Sequence, residues 1–183
     1  TMENNIASDG SDIEITKKSG SIYSIDKSFN ITNHVNDIGI SNTFTWSPNN
    51  EKFYFTDTLT GIIDVYDYDF NQNKISNKRE FAKFERGFPD GSTVDSEGFL
   101  WSCRWSGSCV ARFDPNGKLD TVVELPVPNV TSCTFGGSDL KTLFITTARM
   151  GMTEEELNNN PLAGSVFAYN SSVKGKPDFK FGA

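Results

Sequence analysis

Apolar and polar positions alternate along this chain in short runs, and the runs come in pairs joined by turn residues. "TFTWSPNNEKFYFTD", "STVDSEGFLWSC" and "SCTFGGSDLKTLFITT" each read as an apolar strand, a polar turn and a second apolar strand. A strand with one buried face requires this period of two, because successive side chains point to opposite faces. The intervening turns are rich in strand breakers: Ser47-Pro48-Asn49-Asn50, Asp95-Ser96-Glu97-Gly98 and Gly136-Gly137-Ser138-Asp139. Aligned on Phe53, Phe99 and Leu143, the second strands recur 46 and 44 residues apart.

A third strand follows each pair, in "GIIDVYDYD" (61–69), "SCVARFDPNG" (108–117) and "GSVFAYN" (164–170), and a further copy, "GSIYSID" (20–26), precedes the first pair. Apolar runs such as "REFAKF" (79–84) and "VVELPV" (122–127) supply fourth strands. Four short antiparallel strands in about 45 residues is the pattern of a propeller blade. A β-sandwich with evenly spaced hairpins gives the same alternation and is the alternative. The expected fold is therefore all-β, a β-propeller, with 1–183 forming a single segment of about three blades plus part of another. Propellers usually close with 4–8 blades, so the missing half of the ring is expected from a longer chain or from a second copy. A short helix is expected only in "MTEEELNNN" (152–160), where Thr153 can cap and three glutamates suit the first turn.

Composition agrees with β structure, since aromatics make up 13% with 15 Phe and 15 Gly. A net charge of −7 excludes an ordinary nucleic-acid surface and leaves no polybasic segment for anionic membranes. No apolar run approaches the ~18 residues of a membrane-spanning helix, and the start, "TMENNIASDGSDIEITKK", lacks the apolar segment of a signal peptide. Cys103, Cys109 and Cys133 have no metal-type spacing and suit reduced thiols in a cytoplasmic protein. The triplets beginning at Asn30, Asn129 and Asn170 are then chance matches to a glycosylation signal. His34 is the only histidine, which excludes multi-histidine zinc sites and leaves Ser-His-Asp catalysis little room, so oxygen ligands remain for any metal. His34 itself is given no role.

"FPDGSTVDSEGFLW" (88–101) poses the question of function, because Pro89-Asp90-Gly91 is also an ordinary turn sequence. Four residues before the central apolar residues Trp46, Val94 and Phe135 stand Asn42, Asp90 and Thr131, all bearing side-chain oxygens. In a propeller this place, just before the innermost strand, faces the central channel, where successive blades converge. The loops after the second strands, 57–61, 104–107 and 148–164, would surround the same mouth, with 3–19 as the matching loop of the preceding blade. Arg104, Trp105 and Arg149 are candidates to border a polar ligand there, and plain rim packing accounts for them equally well.

"ISNTFTWSPNNEKFYFTDT", "YDYDFNQNKISNKREFAKF", "FPDGSTVDSEGFLW", "ARFDPNGK", "TSCTFGGSDLKTLFITTARMGM" and the closing "PLAGSVFAYNSSVKGKPDFKF" resemble the SMP-30/gluconolactonase/LRE-like family over essentially the whole chain. The resemblance implies a six-bladed propeller that hydrolyses a sugar lactone with one divalent metal ion on its axis, whether Ca²⁺, Zn²⁺, Mg²⁺, Mn²⁺ or Fe²⁺. It implies that Asn42 and Asp90 are metal ligands and that Asp90 is also the general base. The family's remaining ligand, a glutamate, and its main substrate-binding Arg and Asn lie in the first half, which nothing here matches. "TM" at 1–2 resembles the start of the family's substrate-covering loop, which makes Glu3, Asn4 or Asn5 the nearest substrate-binding residue. Two other readings stand beside lactone hydrolysis: a non-catalytic propeller that binds calcium or a partner, and a metal-dependent esterase or phosphoesterase.

Overall fold

The alternating runs become antiparallel sheets whose strands follow one another in chain order. The computed structural model describes residues 1–11 and 13–178. β1 (Gly20–Ile25) pairs with β2 (Ile31–Ile38). A second sheet runs β3 (Ser41–Trp46), β4 (Lys52–Asp57), β5 (Ile62–Asp69) and β6 (Lys74–Lys83). The third has β7 (Phe88–Val94), β8 (Leu100–Trp105), β9 (Cys109–Phe113) and β10 (Leu119–Glu124). The last comprises β11 (Val130–Gly136), β12 (Thr142–Thr147) and β13 (Val166–Asn170). The chain is thus all-β, and the expected four-stranded unit appears complete in two of the sheets. Residues 179–181, the end of the C-terminal motif, lie outside the described residues.

A short helix, α1 (Glu154–Asn159), interrupts this pattern where Thr153 begins "TEEE". Thr153 Oγ1 accepts from the Glu156 amide while the Glu156 carboxylate takes the Thr153 amide, a reciprocal capping box. Among the described residues no helix is long and apolar enough to cross a membrane.

Each hydrophobic core lies between two consecutive sheets. Ile22 and Ile38 meet Phe53, Phe55 and Tyr66 of the second sheet. Tyr54, Ile63, Val65 and Phe81 then meet Val94, Leu100, Ala111 and Phe113 of the third. Trp101, Cys103 and Val110 in turn meet Val130, Cys133, Phe135, Leu143 and Ile145 of the last. Both faces of the middle sheets are therefore buried, which is why "KFYFTD" and "CVARF" bury every or nearly every residue instead of alternate ones. The stacking brings the first strands together, so that β7 packs against both β3 and β11.

The turn after β7 is held by a buried ion. Asp95 is fully buried, and its carboxylate accepts from the amides of Glu97 and Phe99, from Trp101 Nε1 at 2.9 Å and from Arg112 Nε and Nη2 at 3.0 and 2.7 Å. The Arg112 guanidinium lies 3.7 Å from the centre of the Phe99 ring and also bonds Glu97 and Asp120. A buried carboxylate is tolerated only with such a complete set of donors. Asp95→Ala strands Trp101 Nε1 and Arg112 together, and a loss of about 3–5 kcal/mol in urea-unfolding stability is expected.

Candidate functional site

Each of the three inner strands is irregular at the same level. Regular pairing of β3 with β4 lapses between Asn42 and Thr45, that of β7 with β8 between Pro89 and Ser92, and that of β11 with β12 between Val130 and Ser132. Asp90 and Thr131 fall within these irregularities, and Asn42, still paired with Thr56, borders one. A bulge leaves a residue out of the ladder and turns its side chain aside, which is how a strand re-aims a functional group. "PDG" is accordingly not the tip of a hairpin, because Phe88–Val94 continues through it as one strand.

Close approach of the inner strands fixes the bulges relative to one another. A Cβ on Gly91 would stand 2.5 Å from Ser132 Oγ and 2.8 Å from the Thr131 carbonyl oxygen, so only glycine fits there. On the other side, Thr43 Oγ1 donates to the Asp90 carbonyl at 2.9 Å. Thr43 is buried and adopts φ 48°, a left-handed conformation that is costly for a β-branched residue. Thr58, in the 3₁₀ turn Thr58–Thr60, donates to the Pro89 carbonyl at 2.9 Å and accepts from Asn42 Nδ2 at 2.8 Å. With its amide nitrogen engaged by Thr58, Asn42 has Oδ1 to offer as an acceptor.

Asn42, Thr58, Asp90 and Thr131 line a cavity of about 670 Å³, of the size that takes small molecules. Its remaining wall comes from Met2, Asn5, Ile6 and 13–15, from Ile40 and Leu59, from Phe88 and Trp105, and from Ala148 and Met150. The loops expected around one mouth therefore do meet. Burial pushes the Asp90 carboxyl up to about 6, against a smaller opposing effect of the Gly91 amide. Next to it the Cys103 thiol is held protonated, chiefly by its own burial and then by Cys133 and the Asp90 charge.

The other candidates separate. Trp105 lines the cavity, but Arg104 does not, because neighbouring residues of β8 point to opposite faces. Arg104 is 1% exposed, and its guanidinium donates to the carbonyls of Phe84, Arg86 and Gly87 at 2.7–3.1 Å. Burial lowers its pKa to about 10, which leaves it charged at neutral pH as a clamp on the chain entering β7. Arg149 is exposed beside Gly164, outside the lining, while its neighbours Ala148 and Met150 face inward. Of Glu3, Asn4 and Asn5, only Asn5 lines the cavity, and its Oδ1 is buried without a hydrogen-bond partner. Glu3 accepts from Ser19, and exposed Asn4 accepts from the Ile6 amide. Thr43 and Thr58, which grip the Asp90 segment, carry no signal in the sequence beyond their place in polar loops. Asn129 is buried and donates to the Met150 carbonyl, so its triplet is a structural one.

Comparison with known proteins now bears on this arrangement. Residues 1–149 match the SMP-30/Gluconolactonase/LRE-like region. The chain belongs to that family. Chicken (Gallus gallus) regucalcin is 37% identical over 171 residues, covering 91% of this chain and 57% of its own length. A solved regucalcin from Agrobacterium tumefaciens, described as a calcium-binding protein, superposes with a TM-score of 0.84 at 29% identity, over 91% of this chain and 57% of that one. A gluconolactonase from Xanthomonas campestris gives a TM-score of 0.61 at 28% identity, over 69% and 41%. The chain thus spans little more than half the length of its curated family relatives.

The family's implied metal can be tested against the donors present. Asn42 Oδ1 and the Asp90 carboxylate offer two oxygens at one level of the cavity, with the Thr58 and Thr131 hydroxyls nearby, a donor set suited to a hard divalent cation. Among the described residues no three His, Cys, Asp or Glu side chains converge. The oxygen donors of Asn42 and Asp90 fit part of a site for such an ion.

The raised Asp90 pKa has a consequence for stability. Its folded value lies above the unfolded one of 3.8, so the ionised carboxylate penalises the fold, fully above about pH 6 and not at all below about pH 4. In metal-free buffer at pH 7.5, Asp90→Asn is expected to raise stability by about 1–3 kcal/mol. Thermal melts repeated at falling pH should show that gain disappear by about pH 4.

Proposed function

We propose that this chain provides the metal-binding and proton-accepting half of a lactonase site, in which Asp90 activates water for attack on a cyclic ester. The observation that carries the proposal is a desolvated carboxylate, its pKa raised to about 6, that lines the same ligand-sized cavity as Asn42. Sugar lactones are the starting substrate class, because the gluconolactonase relative carries that chemistry in its name.

A divalent cation held by Asn42 and Asp90 would supply Lewis acidity toward the lactone carbonyl; Ca²⁺, Zn²⁺, Mg²⁺, Mn²⁺ and Fe²⁺ all suit such oxygens. Asp90 is mostly ionised at neutral pH, and burial makes it a stronger base than an exposed aspartate. It takes the proton of the attacking water, and it can return a proton to the ring oxygen as the ester bond breaks. Asn42 does not titrate; Thr58 holds its amide so that Oδ1 stays turned to the same point. Met2, Ile6, Ile13, Ile15, Leu59, Phe88, Trp105, Ala148 and Met150 form the apolar part of the lining around the reacting centre.

In this reading 1–183 is one segment of a β-propeller of the six-bladed type, with the remaining blades supplied by a longer chain or a second copy. The free, buried Cys103, Cys109 and Cys133 suit a reducing compartment such as the cytoplasm. Binding of a cation without turnover is the second reading, favoured by the description of the Agrobacterium regucalcin as a calcium-binding protein.

Steady-state kinetics on a lactone panel separate the two. Metal-dependent ring opening is expected, with Asp90→Asn reducing kcat by about a hundredfold or more while the fold persists. The base must be ionised, so kcat/KM should fall on acidification, with an acid limb no higher than about pH 6 because a cation would draw it down. Calcium binding without turnover of any lactone supports the second reading, and full activity in Asp90→Asn removes Asp90 from the mechanism.

A further inference from the structure

Two of the three free cysteines meet in the interior, between sheets that both belong to this chain. Cys103 on β8 and Cys133 on β11 lie in the core cluster that joins the third sheet to the last. The Cys133 thiol stands 3.7 Å from the carbonyl of Trp101, two residues along β8 from Cys103. The thiols of Cys103 and Cys133 are themselves in hydrogen-bonding contact. A disulfide needs side chains that face one another with Cα atoms about 4.4–6.8 Å apart. Thiols already in contact across facing strands need only a slight further approach.

Strand alternation makes the pairing selective. Trp101 and Cys103 point to one side of β8, toward β11, whereas Arg104 and its cross-strand partner Cys109 point to the other. Cys109 has Arg86, Glu124 and Arg104 as its charged neighbours. Cys103 also lies opposite the irregular stretch of β7 between Pro89 and Ser92, where Asp90 sits.

We propose that Cys103 and Cys133 form a reversible disulfide that ties the third sheet to the last at the Asp90 bulge, with a peroxide as the oxidant. Cys133 is 6% exposed and Cys103 is 0% exposed, so the oxidant reaches Cys133 first. One peroxide oxygen passes to the Cys133 sulfur, the O–O bond breaks, and a sulfenic acid and one water result. The Cys103 sulfur then attacks that sulfur, the S–O bond breaks, and the hydroxyl leaves with the Cys103 proton as a second water. Two electrons have passed from the thiols to the peroxide. Burial holds the Cys103 thiol protonated, so the second step is slow. The bond closes a loop of about 30 residues, which restricts the unfolded chain and favours the folded one.

The test incubates the reduced full chain with hydrogen peroxide, blocks remaining thiols with N-ethylmaleimide in denaturant, and maps the unreduced tryptic digest by mass. Trypsin places the cysteines in separate peptides, 87–104, 105–112 and 119–141, so each pairing has its own mass. The expected product is 87–104 joined to 119–141 within one chain, as a nonreducing gel shows, with 105–112 blocked. Dithiothreitol should reverse it. Cys109→Ser should leave the link intact, and Cys133→Ala should abolish it while Cys103 stays open to blocking. The linked chain should melt about 5 °C or more above the reduced one. A link through Cys109, or sulfinic acid at Cys103 or Cys133 without a link, overturns the inference. So do three thiols still blocked after exposed Met2 has become a sulfoxide, and a linked chain that melts no higher. No readout here depends on a lactone being opened, so failure of the hydrolase reading leaves this one standing.

Discussion

Everything at the site depends on how closely the inner strands β3, β7 and β11 approach one another. Main chain meets main chain there, with no room for a Cβ at Gly91 against β11. Side-chain hydroxyls span the gap on the other side, where Thr43 and Thr58 hold the carbonyls of Asp90 and Pro89. Bulges at the same level in all three strands then present Asn42, Asp90 and Thr131 to one space. A bulge absorbs a local irregularity without breaking the sheet, so the packed cores behind it keep their register. Convergence of the three residues on one cavity is thus a property of strand spacing.

Two aspartates five residues apart in β7 and its turn show how environment divides their roles. Asp95 is wholly buried, yet its carboxylate collects five donors, among them both contacts from Arg112. Its charge is neutralised in place, and what it does is close a turn and tie Trp101 to Arg112. Asp90 is less buried and far less satisfied, and desolvation wins, raising its pKa to about 6. A carboxylate with few donors is a poor structural element and a usable base. Position in the chain distinguishes them poorly; the number of donors within reach distinguishes them well.

That contrast explains what the sequence reveals and what it withholds. The spacing of Phe53, Phe99 and Leu143 locates the sheets, because turn chemistry and period-two alternation are local. Counting back four residues from Trp46, Val94 and Phe135 reaches three cavity-lining residues, because the repeat preserves level along the inner strands. The capping of α1 is equally local, with Thr153 and Glu156 three residues apart. Arg104 is misread as a rim residue because its polarity is visible and its partners, three backbone carbonyls of 84–87, are not. The bulges escape for the same reason, since nothing in "SNTFTW" announces a threonine at positive φ. The apolar wall is hidden too, because Ile6, Leu59, Phe88 and Met150 come from four separate loops and strand ends that read individually as scattered surface residues.

Several costs in this structure meet at one cavity, though others lie elsewhere, such as the exposed Phe29 and Phe70 and the unpartnered Trp46 Nε1. Thr43 carries backbone strain, Asp90 carries an ill-solvated charge, Asn5 Oδ1 is buried without a partner, and Phe88 and Leu59 expose apolar surface. All of them border or grip the same cavity. The cores between the sheets show the opposite condition, with Val94, Leu100, Leu143 and Ile145 fully buried. A cation or proton would relieve Asp90, and a hydrogen-bond donor would relieve Asn5. Unfavourable features that share one concave surface, and that different parts of a single small molecule would relieve together, point to selection for binding at that surface.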